Sequence, residues 1–157
     1  MGTSTITGHQ DQPLENIRIS NVQLYMTPEN AKDKRASHAL HVERVNGLKI
    51  RDLSVMWAED RTEEGWQSAL VLKNVSDFVI DSFSGRQGLK HAGAPAIRLS
   101  DVSDGILRES RATADTGTFV HVEGASSTNI VIKDNYLKKA KKDVTTSEDA
   151  RKAVVRA

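Results

Sequence analysis

The amino-acid sequence predicts an all-β fold, a right-handed single-stranded parallel β-helix of about five coils. Three observations predict it. Short apolar runs recur along the 157 residues, a second strand-like run stands just upstream of most of them, and the segments between are rich in Asn, Asp, Ser and Gly. Alternation with a period of two buries one face of each strand, and a regular repeat of such strands stacks coil upon coil.

The main repeat occurs five times along the chain. Its copies are LENIRI from Leu14, VNGLKI from Val45, VSDFVI from Val75, VSDGIL from Val102 and TNIVI from Thr128. The first four leading residues are 31, 30 and 27 positions apart. In the fourth copy Gly105 stands where the others carry an apolar residue, so we expect the neighbouring Phe78 to fill the space above it.

A second strand precedes the main repeat in four copies, ALHVE, ALVLK, AIRLS and FVHVE. Its inward columns are predicted to be Leu40, Leu70, Ile97 and Val120, then Val42, Leu72, Leu99 and Val122. The column between them, His41, Val71, Arg98 and His121, should face solvent. A β-sandwich would give no reason for the same columns to recur, and the fixed pattern of a leucine-rich repeat is absent.

The insertions between the repeats, residues 26–37, 57–67 and 85–95, fall at equivalent places, so we expect them to form neighbouring loops on one side. Residues 1–140 are predicted to be the coils, as a partial domain. Residues 141–157 are a charged tail that could form a short helix, with Thr145 and Glu148 as its capping box.

Composition excludes several classes of partner. The net charge is +1, so nothing favours nucleic acid or an anionic membrane, and no apolar run approaches the roughly 18 residues that cross a bilayer. The chain has no cysteine, hence no disulfide and no thiolate metal ligand. His38 and His41 are three positions apart on a strand and should point to opposite faces, so we predict neither a metal site nor a cofactor.

Two stretches resemble a known family. ITGHQDQPLENIRISNVQLY and the following ALHVERVNGLKIRDLSV are similar to the later coils of family 28 glycoside hydrolases, and SALVLKNVSDFVI continues in the same style. The resemblance covers residues 6–135. It implies a pectin-lyase-like solenoid, the C-terminal part of an enzyme that acts on galacturonan or rhamnogalacturonan, with the pectic polysaccharide as partner. It also implies a secreted or periplasmic location, although the chain carries no export signal.

The family's catalytic residues do not carry over. Its aspartates lie in Asn-Thr-Asp and Asp-Asp contexts, followed by Gly-His-Gly and Arg-Ile-Lys, and only Gly8-His9-Gln10 matches in part. That segment precedes the ENIRISNV strand, so His9 is not assigned the role. We therefore predict no catalytic residue and no hydrolysis by this chain alone. The alternative is a non-catalytic β-helix module for polysaccharide binding or assembly; a polysaccharide lyase ranks last, because no strand carries clustered acids for calcium.

Six residues are the candidate carbohydrate contacts: Trp57, Trp66, Arg35, Arg61, Arg86 and Lys90. An exposed indole can stack on a sugar ring, and a guanidinium or ammonium can pair with a uronate carboxylate. Each indole could equally pin its own loop to the wall, and the basic residues could simply be solvated.

The first coil is expected to have an uncovered apolar face. Ile6, Leu14, Ile17 and Ile19 begin the inward pattern, with no amphipathic helix ahead of them. An uncovered coil exposes apolar surface and unpaired strand groups, so we expect the isolated chain to self-associate through this end.

Overall fold

The computed structural model describes residues 2–30 and 32–156, and it is a parallel β-solenoid of about five turns. The predicted parallel β-helix is confirmed. The strands are β1 Ser4–Thr7, β2 Leu14–Met26, β3 Leu40–Trp57, β4 Leu70–Asp81, β5 Ser84–Gly85, β6 Pro95–Ser100, β7 Ser103–Arg108, β8 Arg111–Ala112, β9 Thr116–Glu123, β10 Thr128–Lys133, β11 Ala140–Thr146 and β12 Val154–Arg156. A 3-10 turn covers Leu89–His91. None of the helical segments in the described ranges has the length and apolar character that spanning a bilayer requires.

Each coil has three walls. The first wall contains β1, the starts of β3 and β4, β6, β9 and β11. The second contains most of β2, the middle of β3, the end of β4, β7, β10 and β12. The third contains the end of β2, the end of β3, β5, β8 and a bridge from Arg111 to Tyr136. All of these pairings are parallel, so equivalent residues stack directly above one another.

Asn and Asp stand where the chain turns between walls. The backbone is left-handed at Asp52 between the second and third walls and at Asn74 between the first and second. A third left-handed position recurs at Asp77, Asp104 and Asn129. Short polar side chains tolerate this conformation better than others, which explains the composition of the segments between the apolar runs.

The predicted inward columns form the core. Leu40, Leu70, Ile97 and Val120 are in register on the first wall and are buried. On the second wall Phe78 pairs with Gly105, and a Cβ placed at Gly105 would lie 2.0 Å from the Cζ atom of Phe78. The phenylalanine ring therefore occupies the space that the glycine leaves, as the sequence predicted.

The outward column of the first wall is less exposed than expected. Val71 is buried, although it lies outside the main core cluster, and His41, Arg98 and His121 are half-buried. The alternation correctly predicted the direction of these side chains, but their neighbours in adjacent coils and loops cover them.

The tail continues the solenoid instead of forming the helix considered from sequence. β11 pairs with β9 and β12 pairs with β10, because Val144 extends the column of Val120. Thr145 was considered as a helix cap, but it lies in β11, where its hydroxyl oxygen is hydrogen-bonded to Nδ1 of His121 at 2.8 Å. Ala150 and Ala153, in the turn between these strands, are buried against the last coil.

The insertions do form neighbouring loops. The Gln67 amide donates to the Ser37 carbonyl over 2.6 Å, and the Gly88 amide donates to the Gln67 carbonyl over 2.7 Å. The Glu29 amide donates to a carboxylate oxygen of Glu63 at 2.9 Å. These contacts tie successive loops together along one side of the solenoid.

Candidate functional site

The two candidate indoles are buried. Trp57 is 4% exposed and Trp66 is fully covered, and their ring centroids lie 5.3 Å apart. Nε1 of Trp57 donates to the Arg86 carbonyl at 2.8 Å. Neither ring is therefore available to stack on a sugar: Trp57 is an inward residue at the end of β3, and both indoles belong to the core cluster. Their contacts match the alternative in which each indole pins its loop.

Arg86 is the candidate cation that the structure places in a groove. Its side chain is largely buried, with Nη1 donating to the Gln87 carbonyl at 3.0 Å and Nη2 lying 3.5 Å from a carboxylate oxygen of Glu59. The Gln87 side chain donates to the Asp115 carbonyl and accepts from the Gly117 amide, which ties this loop to the next. The guanidinium is thus held in place, and its contact with Glu59 is long.

The other three candidate cations lie on the loop surface. Arg35 and Arg61 have largely solvated side chains, and that of Lys90 is half exposed. Arg61 is 3.6 Å from the Asp60 carboxylate, whereas the nearest carboxylates to Arg35 and Lys90 lie 3.9 Å away. Exposed ion pairs of this kind contribute little to stability, so they do not hold these three side chains in one orientation.

A groove of about 520 Å³ runs along the third wall, and we call it the third-wall groove. Its floor includes Tyr25 and Met56, which are neighbours in register and are 58% and 47% exposed. Its lining is completed by Val55, Trp57, Glu59, Asp60, Arg86, Thr113, Ala114 and Asp115. An exposed tyrosine beside an exposed methionine offers an apolar platform on an otherwise polar surface.

Tyr25 and Met56 were missed in the sequence, although a signal was present. In LYM and VMW, Tyr25 and Met56 are the outward residues between two inward apolar ones. A large apolar residue at an outward strand position is unusual, and the strict period of two could have identified both.

The carboxylates of the third-wall groove are solvated. Glu59 has an 81% exposed side chain, Asp60 is similarly exposed and lies beside Arg61, and Asp115 has a left-handed backbone in the following loop. Such groups can accept hydrogen bonds from sugar hydroxyls. General acid catalysis instead needs a carboxyl group in a surrounding that favours its protonated form.

The histidine pair of the first wall is a packed feature. The rings of His38 and His41 lie 6.1 Å apart, edge to face, so the expectation that they point to opposite faces is wrong: β3 begins at Leu40, and the strand alternation does not extend to His38. Nδ1 of His38 accepts from the Ser68 amide at 3.3 Å. Burial, with smaller effects from His41 and Arg98, lowers the pKa of His38 to about 4. Within residues 2–30 and 32–156, no three His, Asp or Glu side chains lie where they could share a metal ion.

Glu123 on the first wall is surrounded by partners of its own wall. Glu123 lies 3.4 Å from Nη1 of Arg98 and 3.3 Å from Nε2 of His121, and it accepts a hydrogen bond from the Ser100 hydroxyl at 2.5 Å. Burial opposes the charged carboxylate, but the Ser100 hydrogen bond and the Arg98 charge together keep the pKa of Glu123 below its usual range. These side chains therefore already have partners and are less available to bind a ligand than those of the third wall.

Comparison with protein families, with curated proteins and with solved structures gives no match to this chain. The solenoid is shown by the structure itself, and the resemblance to family 28 stays a prediction.

Proposed function

We propose that this chain is a polysaccharide-binding coil stack of a pectin-acting β-solenoid protein, and that it binds the sugar chain along its third wall without cleaving it. The observation that carries the proposal is the third-wall groove, with Tyr25 and Met56 exposed side by side and the Arg86 guanidinium held in its lining. The choice of a pectic ligand rests on the resemblance to family 28.

The groove has the composition that sugar binding requires. A pyranose ring has an apolar face that packs on an aromatic ring, and its edge carries hydroxyl groups that seek polar partners. Tyr25 and Met56 provide the apolar platform, whereas Glu59, Asp60 and Thr113 provide polar groups at the margin. Arg86 adds a buried donor whose contact with Glu59 a ligand carboxylate could replace.

The arrangement of the carboxylates in the third-wall groove favours binding without cleavage. Glycoside hydrolysis needs two carboxyl groups at a fixed separation on either side of the scissile bond, one of them protonated. Glu59 and Asp60 are adjacent on an exposed loop, and their side chains are solvated. We therefore expect no release of reducing sugar from polygalacturonate or rhamnogalacturonan. Release that copurifies with the chain and is lost on mutating Glu59 or Asp60 would contradict this.

The binding test uses affinity electrophoresis in gels that contain polygalacturonate, rhamnogalacturonan or dextran. The double variant Tyr25→Ala/Met56→Ala should bind the pectic chains about tenfold more weakly, since the loss of one platform costs roughly 1.4 kcal/mol. Ile106→Ala is the matched control, because Ile106 is an exposed outward residue of the second wall. Equal retardation of the double variant and the wild type, or equal retardation by dextran, would contradict the proposal.

A second candidate is that the coils belong to a longer family 28-type hydrolase. The observation that favours it is the open face of the first coil: Ile17 and Ile19 are partly exposed, whereas their partners Leu48 and Ile50 are buried. A further coil with the catalytic motifs would cover that face. The test is to read the gene upstream of Met1 for such coils. Upstream sequence without the aspartate and Gly-His-Gly motifs would leave the non-catalytic module as the function.

A further inference from the structure

A second groove lies farther along the same wall, toward the C-terminal coils. It has a volume of about 390 Å³ and is lined by Arg111, Ala112, Tyr136, Lys138 and Lys139. We call it the cationic groove, since three of these five residues carry a positive charge and none carries a negative one. The third-wall groove has the opposite character, with Glu59, Asp60 and Asp115 beside Arg86.

Backbone hydrogen bonds hold the residues of the cationic groove together. The Tyr136 amide donates to the Ser110 carbonyl at 2.9 Å, and the Ala112 amide donates to the Tyr136 carbonyl at 3.1 Å. The Ala140 amide donates to the Leu137 carbonyl at 2.8 Å, which closes a turn with Lys138 and Lys139 at its centre. The two lysines are thus presented together beside the tyrosine rather than on a free tail.

The cations of this groove lack ionic partners in the described part of the chain, where no carboxylate lies within 4.0 Å of the Arg111, Lys138 or Lys139 nitrogens. Glu109 and Asp134 line a neighbouring cleft that shares Arg111 and Tyr136, but they form no ion pair with Arg111. Tyr136 is 76% exposed, more than any other large apolar or aromatic side chain in the described part of the chain. Like charges placed together without a counterion favour the binding of an anion.

We infer that the cationic groove is a second carbohydrate subsite, which stacks one sugar on Tyr136 and pairs that sugar's carboxylate with Arg111, Lys138 and Lys139. This inference rests on the proposed function and adds a ligand requirement to it: the bound chain must carry an acidic sugar at this end. Tyr25 lies in the first coil and Tyr136 in the fifth. Stacked strands are about 4.8 Å apart, so the two residues are separated by about 19 Å along the solenoid axis. Tyr136 shares its column with Arg111 and Ser54, two residues before the column of Tyr25 and Met56, so the bound chain would run obliquely across the wall.

The test compares two forms of one ligand, homogalacturonan fragments with free carboxylates and the same fragments fully methyl-esterified. At low ionic strength the wild type should bind the free acid roughly tenfold more tightly, as expected for up to three exposed ion pairs. The variant Arg111→Ala/Lys138→Ala/Lys139→Ala should lose most of this preference, keeping only the part that Arg86 of the third-wall groove contributes, while still binding the ester. Tyr136→Ala should weaken the binding of both forms.

The control variant is Lys141→Ala/Lys142→Ala/Arg151→Ala, which removes the same charge from exposed positions outside the groove. It should keep the preference for the free acid. Equal loss in both triple variants would show a general charge effect and overturn the subsite. A wild type that binds both forms equally would also overturn it while leaving the proposed function intact, and binding of neither form would overturn both. Thermal melts of all variants exclude unfolding as the cause.

Discussion

Phe78 and Gly105 form one packing unit, so replacing either should damage the fold by a different mechanism. Phe78 is buried in the second wall, between Leu48 of the preceding coil and Gly105 of the next. Truncating a buried phenylalanine typically costs about 3–5 kcal/mol. The glycine has no side chain that could move into the cavity, so we expect Phe78→Ala at the upper end of this range.

Gly105→Ala should be destabilising for the opposite reason. The added methyl group would lie 2.0 Å from Cζ and 2.2 Å from Cε1 of Phe78, distances at which atoms overlap. Overpacking of a core typically costs about 1–3 kcal/mol. In the Phe78→Ala background the ring is gone, so the same methyl group should cost nothing or should stabilise the protein. The two sites should therefore show a coupling energy of about 1–3 kcal/mol.

The assay is urea unfolding followed by the fluorescence of Trp57 and Trp66, which are buried and should report the loss of packing. Val79→Ala is the control, because Val79 is a half-exposed outward residue next to Phe78 and should cost less than about 1 kcal/mol. The reasoning fails if Gly105→Ala is neutral in the wild type, or if its effect is unchanged when Phe78 is replaced. It also fails if Val79→Ala costs as much as Phe78→Ala.

Two further predictions concern pH and assembly. Burial lowers the pKa of His38 from 6.5 to about 4, so its neutral form contributes stability that is complete above pH 6.5 and is lost as the pH falls toward 4. His38→Gln should flatten this part of the stability profile in urea melts, leaving the smaller slope from His41, whose pKa is also lowered by burial; an unchanged profile would contradict the assignment. The isolated chain should show a mass above 17.3 kDa by light scattering because its first coil is open, and Ile17→Lys should reduce association whereas the outward Ser20→Lys should not. A wild-type monomer with a cooperative melt would contradict the prediction of self-association through the first coil.

Most of the fold could be predicted from the residues because a parallel solenoid repeats its contacts. A column such as Leu40, Leu70, Ile97 and Val120 is visible as the same residue type at the same place in each repeat. The space above Gly105 was predictable in the same way, since the missing side chain and the large ring of Phe78 stand in one column.

The candidate site was harder to predict, because it depends on what covers each outward side chain. The sequence left open whether Trp57 and Trp66 are exposed or pin their loops, and in the fold both rings are buried in the core cluster. Tyr25, in contrast, is 58% exposed and lines the third-wall groove. Arg86 was one of the candidate contacts in the sequence, and in the structure its guanidinium lines the groove and contacts the Gln87 carbonyl and Glu59.

The sequence by itself determined which side chains point inward, because the period of two and the repeat of the columns are properties of the chain. Only the tertiary structure decided which outward side chains meet water. Coverage by loops, and the addition of β11 and β12 to the stack, depend on contacts between residues far apart in the sequence: 24 positions for Val144 and Val120, and 30 for Gln67 and Ser37. A local pattern holds no information on those distances, so the third-wall groove and the cationic groove became visible only in the folded solenoid.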